Sequence, residues 1–423
     1  SYDGGMEVTA QQLVAGGDAL ARLPSGKVIF VEGALPGEEV RVQLTDTRKD
    51  FGRATVEEVL SASPDRRDPP CPHVADGCGG CSWQHLSPEG QYEAKVRIVA
   101  ESLARTGKVS SAAAEVDNIV RFGAVEPVGS RTTIRVAFNA EGKPGFRARS
   151  SHDVVAIKNC LVAHPLLNEA LSHISAEPGS DAEVVLRCSV STGVVGALVY
   201  GFEEDIDGLD AVDVLGDEAR ISERIDTQDF GISMGAFFQS SPQAADLLVR
   251  AVRTMAGAEA LSGSFGPVVD AYGGGGLLAA SLVPLHVPVV LIEDNEFAVD
   301  DAKQNLRAHQ AKIVPVPVEE WRASPAGIII ADPARSGMGA AAVKALAASG
   351  APRFVLVSCD PAAGSRDVRL LTEAGYVVDA VGVLDLFPHT NHLEMITSLS
   401  LNKEMRVGPN GETFALGDVP PAA

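Results

Sequence analysis

The sequence predicts an α/β protein in which a doubly wound, mainly parallel sheet follows two smaller β-rich regions. From residue 268 to about residue 401, runs of apolar and β-branched residues alternate with helical segments, which is typical of such a sheet. Before residue 231, short runs that alternate polar and apolar side chains are separated by glycine and proline, which indicates antiparallel strands. A chain of 423 residues is long enough for three domains, each with its own core.

We divide the chain into three predicted domains. Residues 1–65 contain period-two runs such as 39–44, which predict a small OB-like β-barrel. A proline-rich segment, 61–70, is a predicted linker. Residues 66–230 form a predicted middle domain, which has further strands and most of the cysteines. Residues 231–423 contain the doubly wound sheet, a Rossmann-like domain.

The charge distribution bears on the partners of the chain and on its location. Asp and Glu outnumber Lys and Arg by 56 to 35, but residues 91–160 have more basic than acidic side chains. We expect this basic segment to face a polyanion and the acidic segment 201–230 to point away from it. Residues 271–292 lack charged side chains, yet their glycines and prolines indicate a strand, a loop and a short helix rather than a membrane span. The N-terminal residues lack a secretory signal, so we expect a cytoplasmic protein that contacts no membrane.

Three closely spaced cysteines indicate a metal-binding loop in the middle domain. Cys71, Cys78 and Cys81 are separated by glycine-containing segments that let the backbone wrap closely around a bound group. Cys160 is the predicted fourth ligand, whereas Cys188 lies in an apolar run and is a predicted buried strand thiol. Four thiolates bind either tetrahedral zinc or a 4Fe–4S cluster, and the wide gap between the first two cysteines favours the cluster.

A glycine-rich loop predicts a nucleotide-like ligand at the edge of the parallel sheet. One predicted strand ends at Asp270 and continues into a run of four glycines, and the next strand ends in Glu293. An acid at the end of the second strand, as Glu293 is, binds ribose hydroxyls in such folds. The loop matches neither the dinucleotide fingerprint nor the phosphate-binding P-loop. It therefore favours an adenosyl group without phosphates, that of S-adenosylmethionine.

A thiol and a carboxylate are predicted at the same sheet edge. The apolar run 354–357 leads to Cys359, after which Asp360 and a proline begin a helix, and a later strand carries Glu394. Ligands of open parallel sheets bind beyond the carboxyl ends of the strands. A thiolate there can add to a ring carbon, and a carboxylate can remove a proton. The pattern indicates covalent methyl transfer to a pyrimidine ring.

Six motifs occur in an order that resembles the bacterial RNA uridine-C5 methyltransferases, which make 5-methyluridine in 23S ribosomal RNA or transfer RNA. The resemblance spans nearly the whole chain, and the N-terminal barrel resembles the RNA-binding TRAM domain. Two positions depart from the family pattern: Gly273 stands where a cysteine is usual, and Ala334 stands where a proline is usual. The motifs are the cysteine loop followed by Ser-Trp-Gln-His, Gly235 to Gln239, Asp270 to Gly276, Asp332 to Arg335, Ser358 to Pro361 and Phe387 to Glu394.

The resemblance implies a role for each motif. Cys359 is the expected nucleophile and Glu394 the expected base. The residues expected to line the S-adenosylmethionine site are Gln239, Tyr272, Glu293 and Asp332. The residues expected to hold a 4Fe–4S cluster are Cys71, Cys78, Cys81 and Cys160.

The expected reaction needs a uridine that has left its stack, because Cys359 must reach C6 while the methyl group reaches C5. We expect a structured RNA with a flipped uridine as substrate, and a monomeric enzyme without an obligate protein partner. Two alternatives remain: an inactive RNA-binding protein with the same fold, and an RNA 5-methylcytosine methyltransferase. The residues expected to stack on RNA bases or pack beside them are Phe146, Arg147, Arg149, Phe237 and Phe238.

Overall fold

The structure is a computed structural model that describes residues 6–149, 151–402, 405–407 and 413–415. Its first five strands are β1 (Met6–Leu13), β2 (Ala19–Arg22), β3 (Val28–Glu32), β4 (Glu39–Thr47) and β5 (Phe51–Ser61). They form a closed barrel, because β1 pairs with β2 on one side and with β4 on the other. In β3, the side chains of Ile29 and Val31 are fully buried and alternate with half-exposed residues, as the period-two pattern predicts.

A cysteine loop, defined here as residues 71–86, connects the barrel to the rest of the chain. It leads into α1 (Pro88–Ser102), which Ser87 caps by accepting a hydrogen bond from the Gly90 N–H at 3.1 Å. Pro88 occupies the first helical turn, where its missing N–H costs no hydrogen bond. The strand β6 (Val120–Ala124) follows.

The middle region is built on a six-stranded sheet. Its elements are β7 (Thr133–Phe138), β8 (Pro144–Arg147), β9 (Val154–Ala156), α2 (Pro165–His173), β10 (Ser175–Ala176), β11 (Glu183–Cys188), β12 (Val195–Tyr200), β13 (Ile206–Asp207) and β14 (Val214–Leu215). The sheet order is β14-β12-β11-β7-β8-β9, and β10 pairs with β13 apart from it. Cys188, at the end of β11, is buried in the core between this sheet and α2, as predicted.

A two-stranded hairpin joins the middle region to the C-terminal domain. It consists of β15 (Arg220–Ile225) and β16 (Gln228–Ser233). The elements that follow are α3 (Pro242–Ala256), α4 (Ala258–Leu261), β17 (Val268–Ala271), α5 (Leu277–Leu282), β18 (Val289–Ile292), α6 (Glu296–Asn305), β19 (Ala311–Val314), β20 (Ile328–Ala331), α7 (Gly339–Ala347), β21 (Arg353–Ser358), α8 (Pro361–Glu373), β22 (Tyr376–Asp385), β23 (Glu394–Leu401), β24 (Met405–Val407) and β25 (Thr413–Ala415).

The C-terminal domain contains an eight-stranded sheet in the order β19-β18-β17-β20-β21-β23-β22-β6. Neighbouring strands are parallel except around β23, which runs antiparallel to both β21 and β22. The central strand β20 is apolar and buried along its whole length, as is β21 from Phe354 to Val357, because helices cover both faces of the sheet. The predicted α/β fold class, with a Rossmann-like domain after an N-terminal barrel, is confirmed.

The edge strand of this large sheet comes from an unexpected part of the chain. β6 pairs in parallel with β22, with Gly382 opposite Val120. The predicted range 66–230 of the middle domain includes β6, and a strand supplied by this range to the C-terminal sheet was not predicted. The reason is physical: pairing between strands so distant in sequence leaves no local periodicity. Among the described residues, no helix is long and apolar enough to cross a membrane.

Candidate active site

The carboxyl ends of the parallel strands gather most of the predicted site residues at one edge of the large sheet. Tyr272 directly follows β17, Glu293 follows β18, Asp332 follows β20 and Cys359 follows β21. Glu394 begins β23, whose antiparallel direction brings its first residue to the same edge. Five of the six predicted catalytic and cofactor-binding residues are therefore brought together.

Cys359 and Glu394 lie opposite each other at this edge. The antiparallel register pairs Ser358 of β21 with Met395 of β23, so the next residues beyond this pair are Cys359 and Glu394. Burial first, and then the negative charges of Glu394 and Asp332, raise the pKa of the Cys359 thiol to about 12. In the unliganded protein the sulfur is therefore held as a thiol, and a thiolate must be generated during the reaction.

The Glu394 carboxyl group is buried and incompletely hydrogen bonded. Only 6% of the residue is exposed, and its Oε2 atom has no hydrogen-bond partner among the described residues. Burial and the neighbouring charge of Asp332 raise the pKa of Glu394 well above its ordinary value, and the Arg335 guanidinium opposes this rise. A carboxyl group with a raised pKa is a stronger base than an ordinary glutamate, which suits proton removal from carbon.

The glycine-rich loop after β17 is held against Glu293. The Gly274 N–H donates to Glu293 Oε2 at 2.9 Å, and two further backbone N–H groups, of Asp294 and Asn295, donate to Oε1 at 3.0 and 2.9 Å. These bonds fix the direction of the carboxylate at the end of β18. Tyr272, at the start of the loop, has a φ of 59°, a left-handed conformation that non-glycine residues seldom adopt outside functional sites.

Leu291 accounts for the unusual glycine of this loop. A Cβ atom built on Gly273 would lie 2.6 Å from the Leu291 Cγ, a distance that side chains do not tolerate. Leu291 therefore occupies the space into which a side chain at position 273 would project. Beneath the loop, Asp270 accepts from the Ala279 N–H at 3.0 Å, while its other oxygen is buried without a hydrogen-bond partner. Burial raises the pKa of Asp270 to about 7.

Gln239 lies on a different element from the other five residues, the loop between β16 and α3. Its residue is 8% exposed. One end of this loop packs tightly on α6, because a Cβ on Gly235 would lie 2.6 Å from the Phe297 ring. At the other end, the Ser240 hydroxyl donates to the Leu386 carbonyl at 3.4 Å. The loop therefore contacts both the helix after Glu293 and the segment before Glu394.

Arg335 was predicted only as the last residue of a motif, but it lies close enough to the site to affect its electrostatics. Its guanidinium lowers the pKa values of Cys359 and Glu394 against a larger effect of burial, and it lowers the pKa of His392 in the same direction as burial does. The residue itself is exposed. A cation with solvent access next to the predicted nucleophile and base can meet an anionic substrate, and the sequence signal for it was its position directly beyond Asp332.

The four cysteines predicted to bind a metal line one cavity of about 270 Å³. The thiols of Cys78, Cys81 and Cys160 are held in their neutral form, because burial raises their pKa values, that of Cys81 to about 11. Within the described parts of the chain, no group of three or more His, Cys, Asp or Glu side chains has the geometry of a formed metal site. The sulfurs therefore surround a common space without converging to ligand distances.

The chemistry of this cavity nevertheless fits an iron–sulfur cluster. The buried Gln84 side chain lies on the wall of the cavity. Its Oε1 accepts a hydrogen bond from the Cys71 N–H at 3.0 Å. Its Nε2 lies beside the Cys81 sulfur and has no other hydrogen-bond partner among the described residues. Such an N–H group favours the thiolate over the thiol. A set of four sulfur donors with an unused N–H donor suits a thiolate-bound group better than it suits an empty apolar cavity.

The fold and the sheet-edge site define an S-adenosylmethionine-dependent methyltransferase of the class I fold. Residues 6–56 match the TRAM domain. An uncharacterized RNA methyltransferase of Streptomyces avermitilis is 33% identical over 93% of this chain and 97% of its own. The 23S rRNA (uracil(1939)-C(5))-methyltransferase RlmD of Chromohalobacter salexigens is 31% identical over 93% of this chain and 89% of its own. The chain therefore belongs to the RNA uracil-C5 methyltransferase family.

A solved structure supports the fold over nearly the whole chain. The crystal structure of the Pyrococcus abyssi tRNA (uracil-54, C5)-methyltransferase in complex with S-adenosyl-L-homocysteine superimposes with a TM-score of 0.70. It covers 93% of this chain and all of the archaeal chain, at 24% sequence identity. This likeness confirms the fold. The family assignment confirms the predicted S-adenosylmethionine-dependent RNA methyltransferase, and the match over residues 6–56 confirms its TRAM domain.

Proposed function

We propose that the protein methylates C5 of a uridine in RNA through a covalent bond between Cys359 and C6 of the base. The observation that carries this proposal is the position of Cys359 opposite Glu394 at the buried sheet edge. Uracil C5 is too weak a nucleophile to attack a sulfonium methyl group unaided. A covalent adduct divides this difficult step into easier ones.

The proposed steps conserve atoms and charge. The Cys359 thiol releases its proton to solvent, and the resulting thiolate adds to C6. The electron pair of the C5–C6 double bond then forms an enolate at C5 and O4. The enolate carbon takes the methyl group of S-adenosylmethionine and releases S-adenosylhomocysteine. Glu394 then removes the remaining proton from C5, the C5–C6 double bond forms again, and the Cys359 thiolate leaves.

The electrostatics of the site support this division of roles. Glu394 stays protonated more readily than an ordinary glutamate, because burial and Asp332 raise its pKa. A negative Glu394 is one cause of the raised pKa of the Cys359 thiol, whereas a nearby positive charge favours the thiolate. The sulfonium cation of the methyl donor would favour the thiolate in the same way, as Arg335 does. The site therefore suits a nucleophile that is activated only when substrates are bound.

The cofactor site that we propose comprises Tyr272, Glu293, Asp332 and Gln239. Glu293 is oriented by backbone N–H groups at the glycine loop, which suits hydrogen bonding to ribose hydroxyls. Asp332 directly follows β20, next to the strand that ends before Cys359. For Gln239, the contact of its loop with the segment before Glu394 supports a position between the cofactor and the target base.

The target uridine is proposed to be flipped out of its stack and held by aromatic side chains. The structure distinguishes the two predicted phenylalanines: Phe238 packs against Phe230 with ring centroids 6.3 Å apart, whereas Phe237 is 74% exposed. An exposed phenylalanine two residues before Gln239 is a suitable surface for stacking a flipped base. The TRAM barrel would bind flanking RNA.

The cysteine cavity is proposed to hold a 4Fe–4S cluster, with zinc as the alternative metal. Cys71, Cys78, Cys81 and Cys160 would be its ligands. When bound, the cluster would supply four strong iron–thiolate bonds that cross-link the cysteine loop to the segment before α2. The N–H group of Gln84 would remain available to a ligand sulfur.

We propose 23S ribosomal RNA as the first substrate to test, because the relative RlmD is named for that RNA. The test compares total RNA from a strain lacking the gene with RNA from the parent strain. Mapping should find one uridine that loses its C5 methyl group, and the purified enzyme should restore it. Loss of a methyl group from transfer RNA instead would identify the other substrate class. Loss of 5-methylcytidine would contradict uridine specificity, and unchanged RNA would favour the inactive RNA-binding alternative.

A further inference from the structure

We propose that Ser82 and Asn391 are positioning residues, which connect the cysteine loop to the catalytic loop and hold Glu394 in place for proton removal. The catalytic loop is defined here as residues 387–393, directly before Glu394. This inference rests on the proposed roles of Cys359 and Glu394. It assigns the cysteine loop a part in one particular step of the reaction.

The contact between the two loops is reciprocal. The Ser82 hydroxyl donates to Asn391 Oδ1 at 3.0 Å, and the Asn391 backbone N–H donates to the same hydroxyl oxygen at 3.0 Å. Ser82 directly follows Cys81, whose carbonyl accepts from Arg149 at 3.2 Å. A single hydroxyl group therefore satisfies both the side chain and the backbone of a residue close to Glu394.

A second set of bonds holds the same loop at His389. The Trp83 backbone N–H donates to the His389 carbonyl at 2.9 Å, and the His389 backbone N–H donates to Gln91 Oε1 at 2.7 Å. His389 is buried and has a φ of 67°, so its backbone is kept in the left-handed region against its own preference. Such a conformation persists only where the surroundings determine it. Here the surroundings are the cysteine loop and α1.

The barrel also packs against the catalytic loop, in addition to the cysteine loop and α1. A Cβ atom built on Gly17, in the turn between β1 and β2, would lie 2.9 Å from the Asn391 Cβ, so no larger residue fits there. The Gly17 carbonyl also accepts from the Trp83 indole N–H at 2.9 Å. Asn391 is thus enclosed by the barrel and the cysteine loop, and its side chain has little freedom to move.

The expected effect is selective for the last chemical step. Glu394 must reach the C5 proton, and a displacement of about 1 Å can slow a positioned reaction by on the order of 100-fold. Thiol addition and methyl transfer depend on Cys359 and the cofactor loop, which these contacts do not touch. Removing the Ser82 hydroxyl should therefore slow elimination more than methyl transfer, and methylated RNA should accumulate on the enzyme.

The experiment is a single-turnover reaction with labelled S-adenosylmethionine and an RNA substrate, using the full-length protein with its metal group. Total methyl transfer is compared with free methylated RNA after denaturation. We expect Ser82→Ala and Asn391→Ala to lower the elimination rate by about 10- to 100-fold, to retain most of a covalent complex and to leave KM for both substrates within about twofold. The double variant should add little to either single variant, since all three lose the same contact.

Two further variants separate positioning from folding. Ser82→Thr keeps the hydroxyl and should react nearly as the parent protein does. Ser82→Val introduces a side chain of the same shape as threonine but without the hydroxyl, and it should accumulate the complex. This matched pair decides the question even if an alanine variant does not fold. Ser110→Ala, an exposed serine distant from both loops in sequence, is the control and should show no accumulation.

The outcomes also distinguish this inference from the proposed function. If Glu394→Gln accumulates a covalent complex but the Ser82 and Asn391 variants do not, the positioning role is wrong and the mechanism stands. Equal slowing of methyl transfer and elimination in Ser82→Val would also contradict the positioning role. Full activity of Cys359→Ala would instead overturn the proposed mechanism, whatever the loop variants do.

Discussion

Lys95 and Asp385 form a buried ion pair, with the Lys95 Nζ 2.7 Å from the Asp385 Oδ1. Lys95 belongs to α1 and Asp385 ends β22, immediately before the catalytic loop. The same ammonium group donates to the Phe387 carbonyl at 3.1 Å and lies 5.9 Å from the centre of the Trp83 ring. Burial lowers the pKa of Lys95, and the Asp385 carboxylate opposes this fall by stabilising the charged ammonium group.

Removing one member of this pair should destabilise the protein strongly. Lys95→Met leaves the Asp385 carboxylate buried without its cation, and we expect a loss of about 3–5 kcal/mol in the free energy of unfolding. Chemical denaturation followed by circular dichroism measures this loss. Arg105→Met is the matched control, because it removes the exposed ion-pair partner of Glu101. This change should lower the free energy of unfolding by less than about 1 kcal/mol. Equal effects of the two changes would contradict a structural role for the buried pair.

Replacing the predicted nucleophile and base should have different consequences. Cys359→Ala should abolish turnover and leave S-adenosylmethionine binding, measured by calorimetry, nearly unchanged. Glu394→Gln should still form the adduct and transfer the methyl group, because an amide fails only at accepting the C5 proton. Denaturing electrophoresis should then show a protein–RNA complex that contains the labelled methyl group and disappears in the double variant. Normal turnover in Glu394→Gln would assign the base elsewhere.

Activity should increase with pH over the range in which the RNA is stable. Both reacting groups work in their deprotonated forms, and burial raises the pKa of Cys359 to about 12 and that of Glu394 above its ordinary value. We therefore expect kcat/KM to rise from about pH 6 to pH 9 without a plateau. Arg335→Gln removes a charge that lowers both pKa values, so its profile should be displaced towards higher pH. A plateau that begins near pH 6 would contradict a thiol with a raised pKa.

Anaerobic purification tests whether the four cysteines hold a metal group, and which one. Iron–sulfur ligation by the four cysteines predicts a brown protein with broad visible absorption and about four iron atoms per chain. Cys81→Ser should remove most of this absorption. Cys188→Ser should keep it, because Cys188 is buried outside the cavity. A colourless anaerobic protein with one zinc ion per chain would favour the alternative metal.

Asp270 should make stability depend on pH in the ligand-free protein. Its pKa is raised from 3.8 to about 7, so the folded state holds a proton that the unfolded state releases between about pH 4 and 7. Stability should therefore fall as pH rises through this window. Asp270→Asn removes the cost of ionising this buried carboxyl group. The variant should be more stable than the parent protein at pH 8, by on the order of 1–4 kcal/mol, with a smaller difference at pH 5.

Calorimetry without S-adenosylmethionine measures the melting temperature at each pH. Asp50→Asn is the control: Asp50 is exposed in a turn, so its replacement should leave the pH dependence of the melting temperature unchanged. If Asp270→Asn and the parent protein lose stability in parallel between pH 5 and 8, another group is responsible for the pH dependence.

The strand-end positions of Asp332 and Cys359 could be predicted from sequence, because an apolar run followed by a polar turn is a local pattern. The spacing of Cys71, Cys78 and Cys81 is also a local pattern, so this loop could be predicted as well. The contact between Ser82 and Asn391 could not be predicted in this way, since it joins distant loops whose sequences carry no shared periodicity. Gln239 was predicted from its motif alone, and the contacts of its loop with α6 and with Leu386 depend on tertiary packing.

The edge strand β6 has a consequence for synthesis on the ribosome. About 260 residues separate Val120 from its partner Gly382, so at roughly 5–20 residues per second β6 waits on the order of ten seconds or longer for β22 to emerge. Until then the C-terminal sheet has no complete edge, and residues 120–124 have no strand to join. A fragment that begins at residue 231 would leave the backbone of β22 open to pairing with other chains. Expression of the isolated C-terminal part should therefore give aggregates, and supplying residues 66–230 in trans should reduce them.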